Sequence, residues 1–160
     1  MIAVSNTTPI LSLYKIGQLA LLKSLFDQVI VPKAVHDEIA VLGKGKQGHE
    51  AVDTANYIQI KEVQNVLAVN LLRAQLDYGE AEAIVLAKEL GADVLLLDEK
   101  KARRIAQANA QPVIGSIGVL QAAKDKGLIP DMKTPLDGLI ANGIWIDKSL
   151  CQLVLSKNNE

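Results

Sequence analysis

Polar side chains follow two short apolar segments at the point where each segment ends. Asn6 comes directly after residues 2–5, and Asp98 ends the continuous apolar run 94–97. A run of this kind is typical of a strand that is covered on both faces in a parallel sheet. Ligands bind at the carboxyl ends of the strands in open α/β sheets, so Asn6 and Asp98 are candidates for a site at one edge of a sheet.

Glu80 is a third candidate because it lies on an apolar helix face. The residues at i+3, i+4 and i+7 are Ala83, Ile84 and Ala87. Burial of an unpaired carboxylate costs on the order of several kcal/mol. Glu80 therefore needs a partner. A divalent cation or a basic side chain such as Arg103 or Arg104 would serve. The alternative is an ordinary acid in a first helical turn, which complements the helix dipole.

The remaining acids near these positions have simpler interpretations. Glu82 lies roughly 200° around the helix from Glu80, so we expect it to face solvent. Asp98 could cap the helix that follows it. Glu99 is either a first-turn acid of that helix or part of a metal shell. Glu38 is unremarkable by its pattern alone.

Carboxylates that converge in one crevice need a cation. Each close pair repels by roughly 4 kcal/mol at an effective dielectric constant near 20. Mg²⁺ and Mn²⁺ prefer oxygen ligands and keep several waters, and such a water can lose a proton and attack a phosphodiester. A group of acids without His or Cys therefore indicates phosphoryl chemistry and not a zinc hydrolase.

Basic and glycine-rich segments add weaker signals. Lys100, Lys101, Arg103 and Arg104 form a cluster directly behind Asp98, which is either a solvated helix face or a patch that steers phosphates. The segment Gly43–Gly48 lacks the order of a phosphate-binding loop, and His36 and His49 have no metal-ligand spacing.

Length and composition limit the class of protein. The 160 residues fit a single domain over 1–160, and the 49% apolar and 3% aromatic content predicts an aliphatic core. A net charge of −1 gives no overall attraction to nucleic acid or membranes. The single Cys151 excludes an internal disulfide and suits a reducing compartment. No apolar run reaches the roughly 20 residues of a membrane span, and no signal peptide is evident, so we expect a cytoplasmic protein.

The elements that must position these side chains alternate along the chain. The predicted strands cover about 2–5, 28–31, 57–61, 93–97 and 112–114, and helical patterns separate them. This order predicts an α/β fold, a three-layer α/β/α sandwich with a mainly parallel sheet. A last amphipathic helix, about 147–157 with Asp147 as its N-cap, is either part of this domain or an appendage.

Several segments in this order resemble the PIN-domain family, in particular a PIN-like branch related to VapC-type toxin ribonucleases. The segments are 4–9, 31–39, 79–84, 95–99, 112–115 and 126–129, so the resemblance spans nearly the whole chain. It implies a metal-dependent ribonuclease that uses Mg²⁺ or Mn²⁺. The family's site positions fall on Asn6, Glu38, Glu80 and Asp98. We take the last three as catalytic, and all four with the neighbouring Glu99 as metal ligands.

Asn6 departs from the family pattern, which usually has Asp at this position. An amide keeps a carbonyl oxygen for a metal but removes one negative charge, so metal affinity should fall. Thr7 or Thr8 could add a contact, and we count both with the basic cluster as candidate nucleic-acid contacts.

These observations give a leading hypothesis and two alternatives. The first is a single-stranded endoribonuclease, the toxin of a toxin–antitoxin pair, with RNA, an antitoxin protein and a second copy of the chain as partners, and no membrane. The second is a catalytically silent PIN-like module that binds RNA or a protein. The third is a small-molecule phosphohydrolase.

Overall fold

Five parallel strands form one sheet in the order β3-β2-β1-β4-β5 in the computed structural model, which describes residues 1–42 and 55–160. The strands are β1 (Ile2–Ser5), β2 (Gln28–Pro32), β3 (Ile58–Lys61), β4 (Val94–Leu96) and β5 (Val113–Ile114). The described helices are α1 (Thr7–Lys15), α2 (Leu21–Leu25), α3 (Lys33–Leu42), α4 (Val66–Leu72), α5 (Tyr78–Leu90), α6 (Lys100–Ala108), α7 (Ser116–Asp125), α8 (Lys133–Ala141) and α9 (Lys148–Lys157). The predicted Gly43–Gly48 loop and His49 lie outside the described residues.

The central strands are buried on both faces, which confirms the predicted three-layer α/β/α sandwich. Strand alternation sends Ala3 and Leu96 into one core, with residues of α1, α2, α7 and α8. It sends Val4 and Leu95 into the opposite core, against α5 and α6. Because helices cover both faces, the side chains of Ala3, Val4, Leu95 and Leu96 are fully buried.

Helix α8 is absent from our sequence predictions. Two prolines and two glycines between positions 130 and 143 interrupt the apolar pattern there. Pro135 nevertheless falls in the first turn of α8, where its missing N–H breaks no helical hydrogen bond. Asp131 Oδ1 accepts a hydrogen bond from Thr134 N at 2.7 Å and so helps to start this helix.

Helix α9 begins as predicted and is attached to α7. Asp147 Oδ1 accepts a hydrogen bond from Ser149 N at 2.7 Å. At the other end, the Asn158 and Gln121 amides exchange hydrogen bonds at 2.7 and 3.0 Å. Among the helices of the described residues, none is long and apolar enough to cross a membrane.

Candidate active site

A cavity of about 990 Å³ opens beyond the carboxyl ends of β1, β4 and β5. It brings together eight of the residues singled out in the sequence: Asn6, Thr8, Glu38, Glu80, Asp98, Glu99, Lys100 and Arg103. Three others do not line it. Thr7 is buried beside it, and Lys101 and Arg104 are exposed elsewhere on α6. The sheet order explains this meeting, because β1 and β4 are neighbours although they are distant in sequence.

Asn6 reaches the cavity because the β1–β4 pairing continues one residue beyond β1. Asn6 N donates a hydrogen bond to Leu96 O at 3.0 Å. The side chain is only 6% exposed, and its Oδ1 accepts no hydrogen bond from any of the described residues. A buried amide oxygen without a donor is costly unless another group satisfies it. This oxygen is therefore available to a cation or to a substrate donor.

Glu38 meets Asn6 over the bare backbone of Gly79. A Cβ on Gly79 would stand 2.6 Å from Glu38 Oε2 and 3.4 Å from Asn6 Oδ1. Burial raises the pKa of Glu38, the nearby Thr7 hydroxyl lowers this pKa in part, and the Asp77 charge raises it. No well-formed hydrogen bond satisfies Thr7 Oγ1. Glu38 is thus a partly desolvated carboxylate next to an unsatisfied amide oxygen.

Glu80 is both a helix-capping acid and a wall of the cavity. Asp77 Oδ1 accepts a hydrogen bond from Glu80 N at 2.8 Å, and Glu80 Oε1 accepts one from Asp77 N at 3.1 Å, which makes a capping box. The side chain is only 7% exposed. Burial raises the pKa of Glu80; the hydrogen bond from Asp77 lowers it, and the charges of Asp77 and Glu99 raise it.

Asp98 caps a different helix from the one that follows it. Its Oδ1 accepts a hydrogen bond from Ser116 N at 2.7 Å, and its Oδ2 accepts one from Ser116 Oγ at 2.7 Å. Glu99, the N-cap residue of α6, makes no capping hydrogen bond with its side chain. Asp98 therefore fixes the start of α7, and Gly115 leaves room for it, since a Cβ there would stand 2.6 Å from Asp98 Oδ1.

The prediction that Glu82 faces solvent is wrong. Glu82 is only 8% exposed, and its Oε1 accepts a hydrogen bond from Ala34 N at 2.8 Å in the first turn of α3. This bond satisfies one of the free N–H groups at the start of that helix. Glu82 thereby ties α5 to α3, the helix that carries Glu38.

The cavity is strongly acidic. Among the described residues that line it, two are basic, Lys100 and Arg103, and six are acidic: Glu38, Asp77, Glu80, Asp98, Glu99 and Asp147. Among the ion pairs of the described residues, none involves Glu38, Glu80 or Asp98, so Arg103 and Arg104 do not neutralise Glu80. Sequence reasoning missed Asp77 and Ser116. The Asp77-x-x-Glu80 spacing is a readable capping signal, whereas the partner of Ser116 follows only from strand order.

The residues of the cavity fit a hard cation with few direct protein ligands. Within the described part of the chain, no three acidic, His or Cys side chains stand close enough to hold one metal ion together. Mg²⁺ usually takes only one or two carboxylates and keeps several waters. Asn6 Oδ1, which accepts no hydrogen bond, and the adjacent Glu38 carboxylate supply two oxygen donors of the required type.

Comparisons with known proteins identify a family and a similar fold. Residues 2–160 match the sequence model of the family described as DUF3368: PIN domain. The fold is similar to that of a PilT N-terminus domain protein, SSO1118, from the hyperthermophilic archaeon Sulfolobus solfataricus P2, with a TM-score of 0.53 and 21% sequence identity. The match covers 77% of this chain and 93% of the archaeal one. None of the curated protein sequences matches the chain significantly.

Proposed function

The chain belongs to the PIN-domain family, and from this premise we propose that it is a metal-dependent endoribonuclease that hydrolyses single-stranded RNA. PIN domains are associated with nuclease activity and generally use divalent metal ions. The observation that carries the proposal is the pair formed by Asn6 Oδ1, without a hydrogen bond, and Glu38, without an ion pair among the described residues, inside an acidic cavity.

In this proposal the acidic cavity holds Mg²⁺ or Mn²⁺, and the basic residues at its rim hold RNA. Asn6 and Glu38 are the direct ligands, and Glu80, Asp98 and Glu99 complete the negative surroundings. A bound cation supplies charge stabilisation at the phosphodiester and a more acidic water. Glu80 lines the same cavity, and in this proposal its carboxylate would accept the proton of the attacking water. Asp98, held by Ser116, fixes the wall opposite.

The RNA backbone contacts the basic rim. Lys100 and Arg103 line the cavity and neutralise phosphates, and Thr8 offers an exposed hydroxyl at its edge. Lys101 and Arg104 are exposed outside the cavity and contact a longer strand, whereas Thr7 is buried and makes no such contact. We also propose that the chain is a toxin that an antitoxin protein neutralises, and that it forms a homo-oligomer.

A matched pair of variants tests the nuclease. Glu38→Gln removes a charge from the cavity, and Glu62→Gln makes the same change at an exposed acid that does not line it. We expect the wild type and Glu62→Gln to bind Mn²⁺ in calorimetry and to cleave single-stranded RNA, and Glu38→Gln to lose both. Intact RNA together with no Mn²⁺ binding by the wild type would contradict the proposal.

A specific observation supports a second candidate function, a catalytically silent module that binds RNA or a protein. Asn6 supplies an amide where a carboxylate would hold a metal more strongly. The Asn6→Asp variant separates the two functions, measured by Mn²⁺ calorimetry and RNA cleavage. Activity that appears only in Asn6→Asp supports the silent module, whereas cleavage by the wild type that Asp98→Ala abolishes excludes it.

A further inference from the structure

The cavity has a second wall that the proposed chemistry does not use. It is formed by the segment between α8 and α9 and the first turn of α9, and it includes Ile144, Trp145, Ile146 and Leu150. Trp145 is the single tryptophan of the chain and is 83% exposed. Among the large apolar residues of the described chain that line the cavity, Trp145 is the most exposed.

The segment that carries this indole is packed and hydrogen-bonded on both sides of it. Ile144 and Ile146 on either side pack against the core, whereas Trp145 between them is exposed. The segment is held at both ends: Ile144 N donates a hydrogen bond to Leu139 O at 3.0 Å, and Asp147 caps α9. The backbone that carries the indole is therefore held in place at the rim, where a flat partner can stack on the exposed ring.

The other wall indicates what that partner is. A ligand that fills the cavity contacts Lys100 and Arg103, which suit phosphates, and it contacts Trp145, which suits a flat ring. Single-stranded RNA carries both groups, and its bases stack on exposed aromatic side chains. A volume of about 990 Å³ accommodates a nucleotide, since pockets for small molecules measure about 300–1,000 Å³.

We propose that Trp145 is a base-stacking subsite, on which a nucleobase of the single-stranded RNA lies while its phosphates contact Lys100 and Arg103. This inference rests on the proposed function and adds the subsite that holds a base. A second copy of the chain is the competing occupant, because Leu153 of α9 is also exposed, at 52%. A protein contact, however, gives no reason for phosphate-binding groups in the same cavity.

Intrinsic fluorescence tests the subsite in the wild type, because all tryptophan emission comes from this one position. With Mg²⁺ present, titration with a short oligoadenylate should quench the emission, and an abasic oligonucleotide of the same length should not. Equal quenching by both strands overturns the inference. So does an emission change on raising the protein concentration alone, accompanied by a dimer in sedimentation, since that outcome assigns Trp145 to an interface between copies.

Variants give a second measurement, the anisotropy of a labelled oligoadenylate. Trp145→Ala should raise Kd by about 5- to 150-fold, the range that a stacked base supplies. Trp145→Phe should keep most of the affinity, and Leu153→Ala, at an exposed residue outside the cavity, should keep all of it. An unchanged Kd in Trp145→Ala overturns the subsite even if the wild type cleaves RNA. Quenching without any cleavage retains the subsite and rejects the nuclease.

Discussion

Gly79 carries no functional group, yet the proposed metal ligands depend on it. The absence of a Cβ lets the Glu38 carboxylate and the Asn6 amide approach the start of α5 from two different elements. Any larger residue would fill the space in which their oxygens meet. The requirement is for room and not for an unusual backbone angle, because Gly79 is not among the glycines with positive φ.

Replacement of this residue should separate function from stability. In Gly79→Ala the new Cβ would stand 2.6 Å from Glu38 Oε2, the end of a flexible side chain that can turn away. We expect Mn²⁺ affinity and RNA cleavage to fall at least about tenfold, while the free energy of unfolding stays within about 1 kcal/mol of the wild type, since alanine favours helix. Calorimetry and urea denaturation measure the two effects.

The control for this variant is Gly138→Ala in α8. Its new Cβ would contact Ile16 at 3.1 Å, outside the cavity, so it makes the same change to a helical glycine. Gly138→Ala should keep Mn²⁺ affinity. An equal loss of affinity in both variants would mean that Gly79 has no particular role.

The pKa of Glu38 gives a pH-dependent prediction for the metal-free protein. In the unfolded chain Glu38 ionises near its ordinary pKa of 4.5, whereas burial raises its pKa in the folded protein. The folded state therefore binds more protons between these two values, and stability falls as pH rises through that interval. Glu38→Gln removes this loss. At pH 8 in EDTA its Tm should therefore exceed that of the wild type.

At pH 3 the two proteins should unfold at the same temperature, because the wild-type carboxyl is then protonated in both states. Thermal denaturation followed by circular dichroism at both pH values checks this. A Tm difference that does not change with pH would show that burial of the charge is not its cause.

At the scale of elements, α5 shows both the strength and the limit of reasoning from helical periodicity. The angle between Glu80 and Glu82 correctly places the two acids on different sides of the helix. The inference that the second side faces water fails, because α3 packs there and its Ala34 N–H binds Glu82. Periodicity tells which residues share a face; it does not tell which neighbouring element covers the opposite face.

The ends of the strands likewise include one feature that the sequence predicts and one that it does not. The apolar runs before Asn6 and Asp98 predict where the cavity opens, since parallel strands end at a common edge. The partner of Asp98 is not predictable locally. β5 lies next to β4, and the start of α7 reaches Asp98 only through this long-range pairing. Trp145 has no local signal at all, because an isolated aromatic residue between two isoleucines is equally typical of a buried strand.

The contact between α5 and α3 should be important for stability. Glu82→Ala leaves the first turn of α3 without its acceptor, and we expect a loss of about 1–2 kcal/mol in the free energy of unfolding, as for a removed helix cap. Glu82→Gln keeps an acceptor oxygen and should lose less. Urea denaturation gives both values. If Glu82→Ala is as stable as the wild type, Glu82 does not anchor α3.

At the scale of the whole molecule, the charge distribution disfavours RNA binding until a cation is bound. The net charge of the chain is −1. The described residues that line the cavity include six acids and two bases. A phosphodiester entering it meets repulsion that the rim lysine and arginine do not offset. Binding of RNA and binding of a divalent cation should therefore favour each other.

This coupling is measurable. In Mg²⁺ the Kd for a short single-stranded RNA should be at least about tenfold lower than in EDTA, and KCl of equal ionic strength should not replace Mg²⁺. Asn6→Asp should widen the difference between the two conditions, since it adds a negative charge. Fluorescence anisotropy with labelled RNA checks both. Equal affinity in Mg²⁺ and EDTA would place the RNA outside the acidic cavity.

The order of strands in the sheet has a consequence for the synthesis of this protein. β1 leaves the ribosome well before its neighbour β4, which begins at Val94. Ser116 follows later still. A nascent chain that ends before this point holds Asn6 and Glu38 without the opposite wall of the cavity. The cavity in which we propose that RNA is cleaved therefore cannot be complete on a nascent chain until Ser116 has left the ribosome.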